Sequence, residues 1–91
     1  MIKYAEEILK SIYKGNIPRD TFLHINNAFT SINLTKDFNL FDVKQLKMSK
    51  EANRIYYRLR KGKFKANFYI EKNNILVITL GKREEIYKKW Q

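Results

Sequence analysis

Residues 54–80 read RIYYRLRKGKFKANFYIEKNNILVITL, and this stretch decides the fold. Its first part alternates with a period of two. Ile55, Tyr57 and Leu59 fall on one side, and the opposite side carries Arg54, Tyr56, Arg58 and Arg60. Such alternation is typical of a β-strand with one buried face. The segment therefore predicts a strand with an apolar inner side and a basic outer side.

Two further strands are predicted after this one. Lys61 and Gly62 indicate a tight turn, after which polar residues alternate with the apolar Phe64, Ala66, Phe68 and Ile70. Asn73 and Asn74 indicate a second turn, because Asn tolerates positive φ. Residues 75–80 are nearly all apolar, which is typical of a central strand covered on both faces. We expect a three-stranded antiparallel meander whose outer side carries Arg58, Arg60, Lys65 and Tyr69.

The N-terminal part has helical periodicity instead. Between Tyr4 and Lys14 the apolar residues recur at steps of one, three and four, and Gly15 is a candidate C-cap. Pro18 suits the first turn of a second helix, whose apolar positions are Phe22, Ile25, Phe29 and Ile32. Together the two segments predict a helical hairpin. The lone His24 falls off this stripe and is expected at the surface.

The remaining segments are a long connection and a short tail. Residues 33–53 have no sustained period, so we expect parts of them to pack under the sheet or to hold a short extra element. Residues 84–90 begin with acids and end with bases, which favours a short C-terminal helix.

Length and composition limit the classes of protein to which the chain can belong. Ninety-one residues fit one domain, so we expect a single α+β domain over residues 1–91. With no Cys and one His, a disulfide framework and a thiolate metal site are excluded, and we expect neither metal nor cofactor. Acids at positions 6 and 7 do not fit a secretory signal, and no apolar run suits a membrane span. We therefore expect a cytoplasmic protein with no membrane partner.

The net charge of +10 is distributed unevenly along the chain. Residues 54–91 hold eleven Lys and Arg against three acids, a net charge of +8. A concentrated positive surface indicates nucleic acid, an acidic protein or an anionic membrane as partner. On a sheet face that also carries aromatic rings, it is typical of single-stranded RNA binding. A merely solvated charged face is the alternative.

Two stretches closely resemble the RelE/ParE toxin superfamily. They are YRLRKGKFKA at residues 57–66 and ILVITLGKREEIY at residues 75–87. The resemblance lies in a basic strand pair, an apolar strand and a GxRxxxY ending, and it is sharp over residues 54–87. It implies a helical hairpin packed on a small antiparallel sheet of three to four strands. The family usually begins with a strand, and here that strand is expected to be short or missing.

The resemblance also implies a function. The chain is expected to be the toxin of a type II toxin–antitoxin system, with a cognate antitoxin, the ribosome and mRNA as partners. In the RelE branch such a toxin is a metal-independent endoribonuclease that cleaves mRNA in the ribosomal decoding site. The implied catalytic residues are Arg58, Lys65, Arg83 and Tyr87. The expected RNA-binding residues are Arg60, Lys61, Lys63, Tyr69 and Lys82, of which Arg60 matches a basic position of the family.

These residue types suit cleavage by a neighbouring 2′-hydroxyl, which needs a base, an acid and cations around the phosphate. Arg58 and Arg83 keep their charge and bind phosphate in a fork. Tyr87 can stack on a base, orient the hydroxyl or transfer a proton. Lys65 stands where the family commonly has Arg, and besides contacting the phosphate it has a proton to lose.

Two other functions stay open at this point. One is a ParE-like toxin that inhibits DNA gyrase by binding, and the other is a non-catalytic RNA-binding relative. Arg83 and Tyr87 together favour the nuclease, although Tyr87 could instead pack the tail on the sheet. The codon preference, the cleavage of free RNA and the identity of the general base are left open.

Overall fold

The computed structural model describes residues 1–46 and 54–82, which form two helices and one mixed sheet. The helices are α1 (Glu6–Tyr13) and α2 (Arg19–Thr35), and a single 3-10 turn spans Phe38–Leu40. The strands described are β1 (Ile2–Tyr4), β2 (Asp42–Gln45), β3 (Tyr57–Lys61), β4 (Phe64–Glu71) and β5 (Asn74–Lys82). Their order in the sheet is β1-β5-β4-β3-β2. The α+β architecture is as predicted.

Strands β3, β4 and β5 form the expected antiparallel meander. The first turn lies one residue later than predicted, at Gly62 and Lys63, because Lys61 pairs with Phe64 and belongs to β3. Gly62 has a φ of 59°, where glycine avoids a steric cost. The second turn lies one residue earlier than predicted, at Lys72 and Asn73, whose φ values are 50° and 67°. Asn74 pairs with Glu71 and already belongs to β5. A two-residue hairpin turn of this kind needs positive φ at both central positions, which Lys rarely supplies, so composition pointed to the Asn pair.

The sheet has two strands that periodicity did not reveal. Strand β1 is short but present, and it runs parallel to β5, with Ile2 beside Ile75. Strand β2 pairs antiparallel with β3 and adds the other edge. The described sheet therefore has five strands, not three to four. Segments of three and four residues are too short to show a period, and distant partners stabilise them.

The core lies between the helices and one face of the sheet. Phe29 of α2 and Phe68 of β4 are both fully buried, and their rings meet edge to face with centroids 4.9 Å apart. Ile25, Ile32, Leu59, Ile75 and Val77 are also buried. Strand β5 is interior, as its apolar run predicts. Phe38 packs on Tyr57 at 4.9 Å, so part of the long connection does lie under the sheet.

Several apolar residues expected inside are exposed. Ile55 and Ile70 are 37% and 42% exposed, because one precedes β3 and the other is the penultimate residue of β4. On α1 only Ile8 is fully buried, while Leu9 and Tyr13 face solvent. An eight-residue helix offers too narrow a contact for the whole apolar stripe.

Strand β1 is also tied to α2 by a side-chain hydrogen bond. The Tyr4 hydroxyl donates to Oδ1 of Asn26 at 2.8 Å, and burial raises the pKa of Tyr4 to about 12. The predicted C-terminal helix over residues 84–90 lies outside the described residues. Within the described ranges, neither helix has the length and apolarity to cross a bilayer.

Candidate nucleic-acid interface

The sheet face opposite the helices, here called the outer face, carries the predicted basic residues. Residues paired across neighbouring strands share a face. One row across the sheet consists of Lys44, Arg58, Asn67 and Thr79, and the adjacent row consists of Asp42, Arg60, Lys65 and Gly81. Tyr69 follows Asn67 by two residues in β4 and lies on the same face. Arg58, Arg60, Lys65 and Tyr69 are thus brought together, as the alternation predicted.

Arg58 is held in place by its partner on β4. Its Nε donates to Oδ1 of Asn67 at 3.0 Å, within an ordinary hydrogen-bond distance. Asn67 is fully buried, so the surrounding residues restrict the motion of its side chain. A guanidinium tethered through Nε keeps its two terminal nitrogens as a fork, the arrangement that fits a phosphate. Arg58 is therefore a preorganised cation.

Two buried polar atoms in the same row are without a hydrogen-bond partner in the described part of the chain. They are Nδ2 of Asn67 and Oγ1 of Thr79, which belong to paired residues of β4 and β5. Burial without a partner costs roughly 1–3 kcal/mol per group. Asn67 bears this cost at Nδ2 while its Oδ1 accepts the hydrogen bond from Arg58.

Lys65 is buried, with only 7% of its surface exposed. It pairs with Arg60 on one side and Gly81 on the other. Lys is rarely buried to this extent. Lys65 therefore lies deeper in the outer face than the exposed Arg60.

Arg60 forms an ion pair at the edge of the face. Its Nε contacts Oδ2 of Asp42 at 2.5 Å, and both side chains are more than half exposed. Exposed pairs of this kind contribute about 0–1 kcal/mol. The carboxylate offsets part of the Arg60 charge, so Arg60 attracts phosphate less strongly than the sequence alone implies.

The other end of the face is an aromatic cluster. The guanidinium carbon of Arg54 lies 4.2 Å from the ring centroid of Tyr69, and the Tyr56 ring meets Tyr69 edge to face at 5.8 Å. Glu71 lies 3.9 Å from Arg54. A hydrogen bond from Arg54 to the Tyr56 side chain is the largest of the effects that raise the pKa of Arg54. The exposed ring face expected at Tyr69 is thus covered by Arg54.

The predicted RNA-binding lysines, Lys61, Lys63 and Lys82, lie apart from this arrangement. Lys61 and Lys82 flank Phe64 in register, so they belong to the row on the helix side of the sheet. Lys63 is exposed in the turn itself. His24, also exposed, lines a shallow groove with Thr21 and this turn. The predicted RNA-binding set therefore divides into residues of the outer face (Arg60 and Tyr69) and lysines of the β3–β4 turn and the adjoining strand ends (Lys61, Lys63 and Lys82).

The two remaining predicted catalytic residues, Arg83 and Tyr87, lie outside the described residues. Four neighbours of the site were missed from the sequence, namely Asp42, Lys44, Arg54 and Asn67. The alternation placed Arg54 on the outer side, and Asn67 is one of the polar residues that alternate with Phe64, Ala66 and Phe68. Only their polar character could have singled them out. The other two belong to β2, which has no readable period.

The arrangement brings a tethered guanidinium, a buried lysine and an exposed arginine to one face. Cations gathered in this way suit an anionic ligand such as a phosphate. Among the described residues no group of three His, Asp or Glu side chains is placed to hold a metal ion.

Comparison with known proteins supports the fold. No family model matches the chain, and no curated protein matches it either. Among solved structures, it is similar to a chain in the crystal structure of the RelB-RelE antitoxin-toxin complex from Methanococcus jannaschii. The TM-score is 0.71 at 20% sequence identity, over 98% of this chain and 99% of that one. The chain therefore has a RelE-like fold.

Proposed function

We propose that this chain is the toxin of a toxin–antitoxin pair and an endoribonuclease that cleaves mRNA in the ribosomal decoding site. The observation that carries the proposal is the Arg58 fork held on a basic sheet face by buried Asn67. The RelE-like fold supports it, because the similar solved structure is an antitoxin–toxin complex.

The reaction uses the RNA's own 2′-hydroxyl as nucleophile. Its oxygen bonds to the adjacent phosphorus while the bond from phosphorus to the 5′-oxygen breaks. The 2′-hydroxyl proton goes to a base, and the leaving oxygen receives a proton from an acid. The products are a 2′,3′-cyclic phosphate and a 5′-hydroxyl end.

Arg58 stabilises the charge that develops on the phosphate oxygens, and Lys65 contacts the same phosphate from within the face. Preorganised cations of this kind are effective because they need no reorganisation during the reaction. Arg83 is assigned to the phosphate and Tyr87 to orientation or proton transfer, on the sequence resemblance. No step requires a metal ion.

The partner that neutralises the chain is an antitoxin with an acidic or amphipathic segment. The net charge of +8 on residues 54–91 attracts such a segment and favours fast association. Covering the outer face or the helical hairpin would block entry to the ribosome. Co-expression from the native operon should yield a complex, and recovery of only the free chain would contradict this part of the proposal.

The test is incubation of the purified chain with programmed ribosomes in excess chelator. We expect cut message that ends in a 2′,3′-cyclic or 3′-phosphate. Arg58→Ala should lower the rate by about a hundredfold, since one preorganised charge is lost. Arg19→Ala is the matched control, because Arg19 is an exposed arginine at the start of α2. Gyrase-dependent DNA breaks would indicate a ParE-like toxin, and ribosome binding without cleavage a non-catalytic relative.

A further inference from the structure

In the aromatic cluster at the end of the outer face, the guanidinium of Arg54 covers the ring of Tyr69. Arg54 lies over the Tyr69 ring at 4.2 Å, and Tyr56 supports that ring from its edge. Glu71 approaches Arg54 at 3.9 Å from the adjacent strand. Contacts from three residues therefore hold one arginine side chain at one position.

This geometry changes which group a nucleobase would meet. The Tyr69 ring face is covered, so a base can stack on it only if Arg54 leaves. The Arg54 side chain is still 41% exposed. Unstacked RNA bases stack on guanidinium planes as well as on aromatic rings. The available stacking surface is thus Arg54, with Tyr69 beneath it.

The charge around Arg54 favours a base over a phosphate. Glu71 offsets the positive charge and would repel a phosphate at the same point. A neutral base suffers no such repulsion, and its amino groups can donate to the carboxylate. The phosphate is assigned to Arg58, whose Nε donates to the neutral amide of Asn67.

The spacing between the Arg58 and Arg54 positions can be taken from the geometry of β4. Tyr69 follows Asn67, the partner of Arg58, by two residues of β4 on the same face. Two residues of a strand span about 6.7 Å. One RNA strand can therefore place a phosphate at Arg58 and the base of a neighbouring nucleotide at Arg54.

We propose that Arg54, supported by Tyr69, Tyr56 and Glu71, is the stacking platform for the nucleobase next to the phosphate held by Arg58. This inference rests on the proposed RNA-cleaving function and adds a subsite to it.

The experiment uses ribosomes programmed with short messages whose 2′-hydroxyls are methylated to block cleavage. The fluorescent base 2-aminopurine is placed at successive positions, and its quenching on binding of the chain reports stacking. We expect quenching at one position with the wild type and its loss in Arg54→Lys, which keeps the charge without the planar group. The affinity should fall by about tenfold, as for loss of one stacked base. Arg19→Lys is the matched control and should leave both signals unchanged.

Unchanged quenching and affinity in Arg54→Lys, while the wild type still cuts unmodified message, would overturn the platform and leave the nuclease standing. A wild type that neither binds nor cuts message would overturn both. Thermal unfolding of Arg54→Lys identifies a folding defect. If Arg54→Lys unfolds early, Tyr69→Leu gives the second test, because it removes the ring beneath Arg54 and should weaken the quenching. Unchanged quenching in Tyr69→Leu would overturn the platform.

Discussion

Arg58 and Asn67 face each other across β3 and β4, and the Nε of Arg58 donates a 3.0 Å hydrogen bond to the buried amide oxygen of Asn67. The relationship joins the cation that we propose for phosphate binding to a residue that contacts no solvent. It explains how a long, flexible side chain can be kept in one orientation on the outer face of the sheet.

Asn67→Ala should therefore impair Arg58 without removing it. A hydrogen bond to a charged group is worth about 1.5–3 kcal/mol, so we expect the cleavage rate on programmed ribosomes to fall by at least about tenfold. The Nε–H signal of Arg58 in NMR spectra should also lose its protection from exchange. A reduced rate with an unchanged Nε–H signal would mean that Asn67 acts otherwise than by positioning Arg58.

Thr79→Val should stabilise the protein. The buried Oγ1 of Thr79 has no hydrogen-bond partner in the described ranges, so replacing the hydroxyl with a methyl group removes a desolvation cost. We expect a gain of about 1 kcal/mol in the free energy of unfolding, measured by urea denaturation. Thr30→Val is the matched control, since the Thr30 hydroxyl donates to the backbone oxygen of Asn26 and is exposed. Equal effects of the two variants would contradict the expectation.

Stability at high pH should depend on Tyr4. Burial raises its folded-state pKa from 10.0 to about 12, and the hydroxyl donates to Asn26 only while protonated. A raised folded pKa means that this contribution is fully present below pH 10.0 and is lost as the pH rises through about 12. The difference in unfolding free energy between the wild type and Tyr4→Phe should accordingly be constant up to that range and shrink across it. A difference that stays flat to pH 12 would show that the Tyr4 hydroxyl is not linked to folding.

Two substitutions in the C-terminal residues separate the proposed roles there. Arg83→Ala should lower the cleavage rate by about a hundredfold, because a cation at the phosphate is lost. Tyr87→Phe keeps stacking but removes proton transfer, so a large loss of rate would assign Tyr87 to acid–base chemistry. Single-turnover cleavage in excess chelator measures both, with circular dichroism as the check on folding. Full activity of Arg83→Ala, or cleavage that stops on adding chelator, would contradict the mechanism.

The sequence by itself determined the elements that have a readable period. The alternation around Arg58 placed the basic side chains on one face, and the helical spacing of Ile25, Phe29 and Ile32 placed these three residues in the core. The apolar run of residues 75–80 indicated an interior strand, which β5 is. These features follow from local spacing, because side-chain direction in a helix or strand is set by the backbone.

The tertiary structure alone decided what depends on distant partners. β1 and β2 exist because β5 and β3 offer hydrogen-bonding edges, and no pattern within three or four residues reveals that. The Asp42–Arg60 pair, the covering of Tyr69 by Arg54 and the burial of Lys65 likewise follow from strand register. Residue type states which groups can interact, but only the register of strands far apart in the chain decides which of them meet.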